Sequence, residues 1–165
     1  MNALLMELVG RVLWTSRRSA DMATFQFGKR IQIRTHDGRS REVGEYALHV
    51  QCDWRVVKGD SVLVGSRDLY YPAGYVDGDA IPDHFSWDRD PNRRDELLRA
   101  LFEDGAKGFT VRKVYTGKAG ACLIEFDDDI SLEIFPNDSS EDEHWRLFAT
   151  QDSTKEIVIG GSRKD

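Results

Sequence analysis

The sequence predicts an α+β domain built mostly from antiparallel sheet, with about nine strands, an N-terminal helix and one central helix. Three observations lead there. Short runs of alternating apolar and polar residues recur through most of the chain. Helical spacing is confined to the N-terminus and to residues 92–103. Turn residues separate the runs at intervals that suit hairpins. A chain of 165 residues fits a single domain, one that buries roughly 70% of its unfolded surface. The 40% apolar fraction, with eight Phe, five Tyr and four Trp, supplies an ordinary core and argues against disorder.

Asn2 can cap a first helix, in which Leu4, Leu5, Leu8, Val9, Val12 and Leu13 share a face. Thr15 to Asp21 is polar and reads as a loop. Phe25–Phe27 and Ile31–Ile33 read as a hairpin closed by Gly28-Lys29-Arg30, and His36-Asp37-Gly38-Arg39 as a turn. Tyr46 to Arg55 is the strongest strand. Tyr46, Leu48, Val50, Cys52 and Trp54 share its apolar face, and His49, Gln51, Asp53 and Arg55 line the other. A turn at Lys58-Gly59-Asp60 leads to a valine-rich strand, Ser61 to Ser66.

Residues 71–91 form a long loop with three prolines, and loops of that length tend to be functional or disordered. Its first half is expected to be exposed and its second half anchored through Phe85 and Trp87. Asn92 to Glu103 follows as a helix, with Gly105 after its end. Strands are expected at Phe109–Tyr115, Ala121–Phe126, Ile130–Phe135, Trp145–Ala149 and Glu156–Ile159.

Two segments look alike. Phe25-Gln26-Phe27 with Ile31 matches Ile124-Glu125-Phe126 with Ile130, and Trp54-Arg55-Val56 matches Trp145-Arg146-Leu147. Each tryptophan segment is followed by a loop and a strand ending at Gly65 or Gly160. An internal duplication of 25–65 and 124–160 would explain this. The unequal spacings favour the alternative, that β-hairpins resemble one another.

The net charge of −6 speaks against general nucleic-acid affinity. Residues 119–145 hold nine acids, among them Asp127, Asp128 and Asp129, and no Lys or Arg. Such a run is either a solvated face or a docking surface for a basic protein partner. Cys52 and Cys122 lie within apolar alternation and read as small buried hydrophobes in a reducing compartment. The N-terminus lacks the basic leader of a signal peptide and no stretch approaches a membrane span, so the expectation is a cytoplasmic protein.

No phosphate loop, nucleophile elbow or zinc-ligand spacing is present, and no cofactor or metal is expected. Asp88-Arg89-Asp90 starts like a calcium loop but places Arg93 where the sharp turn needs Gly. The row of His49, Gln51, Asp53 and Arg55 is the most site-like feature, with His and Asp near enough for acid–base work. Its plainer reading is a solvated or cross-strand-paired face. Arg67 and Asp68 could bind a ligand, or could pair with each other to lock the base of the long loop. Trp54 and Trp145 read as core anchors.

Ala47-Leu48-His49-Val50-Gln51-Cys52, Trp54-Arg55, the run Val64 to Tyr70 and His144-Trp145-Arg146-Leu147-Phe148 resemble a family of uncharacterised bacterial proteins. The resemblance covers most of residues 45–160 and brings no catalytic residue with it. In size and acidity the chain is similar to immunity proteins of toxin systems, in general character alone. The leading expectation is therefore a non-enzymatic interaction protein of the bacterial cytoplasm. The alternative is a small enzyme or ligand-binding domain, with its site between strand 49–55 and loop 71–91.

Overall fold

A computed structural model describes residues 2–103 and 107–160; Gly105, expected to follow the central helix, lies outside them. Asn2 caps α1, Ala3–Met6, by accepting a hydrogen bond from the Leu4 N–H at 3.0 Å. The helix is far shorter than the apolar spacing predicts. Gly10 turns the chain at φ +83°, a left-handed conformation that glycine reaches without a Cβ clash. Val12 and Leu13 therefore enter a strand, β1 (Val12–Ser19), where a loop was expected over 15–21.

A two-residue turn at Ala20-Asp21 joins β1 to β2, Met22–Arg34. The hairpin expected between Phe25 and Ile33 does not exist, because β2 runs straight through Gly28 and pairs with β3, Ser40–Val50, from end to end. The register slips between Phe27 and Arg30, so Gly28-Lys29 is a bulge opposite Glu45. The bulge needs Gly44 beside it, paired with Arg30: a Cβ there would lie 2.6 Å from the Phe27 carbonyl oxygen. Its freed backbone groups find partners, since Gly44 N donates to Gln26 Oε1 at 2.8 Å and Gly44 O accepts from the Thr150 hydroxyl. That need explains why Gln26 is buried.

The strand expected over 46–55 breaks at Gln51-Cys52, whose amides both donate to His144 O. Beyond the break the chain continues as β4, Asp53–Lys58, and β5, Ser61–Gly65. Next come a 3-10 turn, Ser66–Tyr70, and, after the long loop, α2, Arg93–Glu103. The buried Asn92 caps α2 by accepting from Asp95 N at 2.9 Å. The rest is β6 (Phe109–Thr116), β7 (Cys122–Phe126), β8 (Ile130–Phe135), β9 (Glu143–Ala149) and β10 (Asp152–Gly160). The protein is α+β with antiparallel sheet, and the described strands number ten, not nine.

All ten join in one order, β10-β9-β3-β2-β1-β6-β7-β8-β4-β5. The order is symmetric about the β1–β6 contact, where Val12 pairs with Thr110. Each half is a three-strand meander, β1-β2-β3 or β6-β7-β8, completed by a hairpin from elsewhere in the chain, β9-β10 or β4-β5. The rungs repeat as well. Val50 faces Trp145 as Ile134 faces Trp54, and His49 faces Arg146 as Glu133 faces Arg55. Phe25–Phe27 and Ile124–Phe126 hold matching places on β2 and β7. Gly65 and Gly160 do not correspond: Gly65 faces Arg55, and the residue facing Arg146 is Val158.

The halves face each other across one core. Phe25 on β2 meets Trp54 on β4 edge to face at 5.2 Å, and Trp145 donates through Nε1 to Gly120 O at 2.7 Å. Both tryptophans are buried core anchors. Leu4, Leu5 and Leu8 join that core from the N-terminus and Leu98 from α2. The loop 71–91 is tied at its base, with Pro72 bridged to Asn92 and Gly74 N donating to Glu96. Residues 76–84 are exposed, whereas Phe85 and Trp87 are half-buried, Trp87 against Tyr70. Among the described residues, no helix is long and apolar enough to cross a membrane.

Candidate functional site

The break at Gln51-Cys52 takes apart the polar row expected from a single strand. His49 stays in the first half on β3, half-buried and edge-on to Phe148 at 4.9 Å. Burial, and then Arg146, push its pKa below the ordinary imidazole value. Gln51 donates to Glu143. Asp53 begins β4 and accepts from Ser66 Oγ at 3.1 Å and Asn137 Nδ2 at 2.6 Å. Arg55 pairs with Glu133 at 2.6 Å in the other half-sheet. The expected Arg67–Asp68 lock is replaced by another: Asp68 accepts from Gly65 N at 2.8 Å and pairs with Arg93 at 3.4 Å, and Arg67 is exposed.

Three of these residues, Gln51, Asp53 and Arg67, do line one small cavity of about 70 Å³ together with the buried Arg94. That volume suits about two water molecules at ~30 Å³ each. No residue of the 71–91 loop lines it, so the loop does not cap it.

The acidic stretch also divides. Asp127, Asp128 and Asp129 form the β7–β8 turn, in which Asp128 and Asp129 adopt φ of 57° and 58°. Asp127 accepts from Thr110 N, and the Asp129 carbonyl accepts from Gly59 N. Asp138 and Glu143 lie beyond the opposite end of β8, roughly 20 Å away along a six-residue strand. Glu143 takes the Arg146 Nε–H at 2.8 Å, and that bond holds its carboxyl below the usual range. These acids do not make one continuous face.

Both cysteines are buried free thiols. Burial pushes Cys52 up to about 11 and Cys122 up to about 12, which removes the thiolate a nucleophile needs. Among the described residues, no three His, Cys, Asp or Glu side chains gather as metal ligands would.

A recess of about 520 Å³ lies where no sequence motif points, between β1 and α2. β1 pairs with β6 only through Val12 and Leu13. From Trp14 onward, among the described residues, its outer edge has no strand partner. The consecutive residues Trp14 to Arg18 all line the recess. Neighbouring strand residues point to opposite faces, so it is the edge of β1 that borders the groove. The opposite wall is α2, through Asp95, Leu98, Arg99 and Phe102.

A second bulge builds this site. Leu13 pairs with Phe27 and Thr15 with Gln26, which leaves Trp14 as the extra residue on β1. Arg30, which follows the β2 bulge, lies over the Trp14 ring at 4.5 Å, with Arg17 at 5.9 Å. Arg30 pairs with Glu42 at 3.4 Å, and Arg18 bridges to Asp95 at 2.8 Å. Arg17 donates to the Glu42 carbonyl at 2.7 Å and, among the described residues, has no carboxylate in ion-pair range. Burial, then the neighbouring Arg41, hold its pKa below the ordinary arginine value. Trp14 Nε1 and Ser16 Oγ are buried there without a hydrogen-bond partner among the described residues. Such groups cost free energy unless something binds them.

The sequence carries only a weak trace of this groove, the pair Arg17-Arg18 in a polar stretch after Trp14. A loop reading of 15–21 conceals it. No protein-family profile matches this chain, and no curated protein or solved structure matches it either.

Proposed function

We propose that the chain is a non-enzymatic protein-binding module of the bacterial cytoplasm, immunity-like in general character, and that it binds its partner at the groove between β1 and α2. The observation that carries this reading is an open strand edge inside a ten-stranded sheet, bordered by an aromatic ring, arginines and unsatisfied donors. Unpaired edges invite pairing with another chain, and proteins normally cover them. The enzyme alternative finds less support, because the row it relied on is split between two half-sheets and the cavity beside it is water-sized.

The test is a photo-activated cross-linker placed at Thr15 and, as a control, at the exposed Val62 on β5. In the native host, a discrete protein adduct is expected at Thr15 and not at Val62, and Arg17→Glu should abolish it. Absence of any adduct at Thr15, or one that persists unchanged in Arg17→Glu, would overturn the reading.

A further inference from the structure

We infer that the occupant of the β1–α2 groove is an extended, acidic segment of the partner, added to β1 as an extra strand. The inference rests on the protein-binding reading above and names the chemistry of what binds.

Backbone geometry gives the mode. The hairpin β1–β2 closes on the pair Ser19–Met22, with Ala20 at φ 51° as the first turn residue. A type II′ turn of this kind makes its closing pair a hydrogen-bonded one, and such pairs alternate with non-bonded pairs along the ladder. Arg17 opposite Thr24 is then bonded, whereas Ser16 opposite Phe25 is not. Ser16 therefore sends its N–H and C=O outward, into the groove. An incoming strand would lie about 4.8 Å from β1, the ordinary spacing in a sheet. The Arg18–Asp95 bridge closes the groove at its turn end, so the segment pairs along Trp14 to Arg17, about four residues.

Charge gives the sequence preference. The lining carries four arginines, 17, 18, 30 and 99, against two acids, Asp95 and Glu103, a surplus of two positive charges on a protein of net charge −6. Among the described residues, Arg17 is the guanidinium here without a carboxylate. The Trp14 indole N–H can only donate, and the Ser16 hydroxyl can donate as well. Arg17 and Ser16 point to opposite faces of β1, so a carboxylate on the incoming strand pairs with Arg17 on the face that also holds Trp14 and Arg30. An apolar residue beside it meets Leu98 and Phe102 on α2, so the favoured pattern alternates acid with apolar.

The experiment uses the full chain and a capped heptapeptide of alternating Glu and Val, with its Lys–Val counterpart. A third peptide keeps the Glu–Val sequence but is N-methylated at alternate residues. The Glu–Val peptide is expected to bind at least tenfold more tightly than the Lys–Val peptide, and to slow hydrogen exchange at the Ser16 amide. Methylation and Arg17→Glu should each weaken it by tenfold or more, in a fold unperturbed by circular dichroism. Equal affinity for the acidic and basic peptides overturns the charge assignment. Indifference to methylation, or no slowing of exchange at the Ser16 amide, overturns strand addition, and tighter binding of an oligonucleotide than of the Glu–Val peptide overturns the peptide assignment altogether. If the Thr15 adduct forms in cells and depends on Arg17 while the peptides fail, strand addition is wrong and the protein-binding reading stands. If the adduct is also absent, both fall.

Discussion

In one half of the sheet His49 stands opposite Arg146; in the other Glu133 stands opposite Arg55. The rungs are equivalent, yet their chemistry differs. Arg55 has its carboxylate across the strand at 2.6 Å, whereas Arg146 reaches along its own strand to Glu143 and to Glu156 on β10. One rung further, the halves agree: a buried tryptophan faces a branched aliphatic in both. Shared requirements thus sit on the core side, where close packing leaves little latitude. Differences gather on the outer side. The first half is also the elaborated one, since β2 and β3 run 13 and 11 residues against five and six for β7 and β8. It holds both bulges that shape the groove.

The largest test of that comparison is truncation of the paired anchors. Trp54→Ala and Trp145→Ala should each cost about 3–5 kcal/mol in denaturant unfolding, as burying an aromatic ring predicts. Values within about 1 kcal/mol of each other would uphold the equivalence, and a gap of 3 would break it. Trp145 carries the extra bond to Gly120, so the larger loss is expected there.

A smaller effect separates the halves. Gly44→Ala forces a Cβ against the Phe27 backbone and should cost about 1–3 kcal/mol through overpacking. Amide exchange should quicken over residues 30–43 and around Trp14, while β7 and β8 keep their protection. Uniform loss across both halves would show that the bulge is not a local device.

The smallest expected effect concerns acid. His49 has a depressed pKa in the folded state, so the unfolded chain takes up its proton first. The stability from keeping it neutral is present above about pH 6.5 and is lost as pH falls through the folded value. His49→Gln should flatten the stability profile in that range.

Much of the fold was legible because core alternation is a local signal. Tyr46, Leu48, Val50, Cys52 and Trp54 are all buried as their spacing predicts. What periodicity could not reveal is that the same alternation passes through a change of sheet: the Gln51-Cys52 break keeps the pattern in phase while moving Trp54 to the opposite half. Gly28-Lys29-Arg30 carries the residues of a turn, yet Gly44 and Gln26, both distant in sequence, convert Gly28-Lys29 to a bulge. Val12 and Leu13 satisfy helical spacing with Leu5 and Leu8, and only the Gly10 turn and pairing with Thr110 and Phe109 make them a strand. The groove was hidden for the same reason. It depends on where β6 stops pairing with β1, which nothing local to Arg17-Arg18 encodes.

The crossing of β3 into β4, and of β8 into β9, has a consequence for how the protein is made. The free edge of β3 waits for β9, and about ninety residues separate the end of one from the start of the other. At ribosomal speeds of about 5–20 residues per second, that interval is roughly 5–20 s. During it the nascent chain displays Leu48 and Val50 on an uncovered strand, beside an emerging second half that has the same rung pattern and lacks nothing but its own β4 and β5, already synthesised. The second half can close at once, while the first cannot. A nascent-chain arrest series should therefore show β4 to β8 gaining protease resistance before β1 to β3, the reverse of their order along the message.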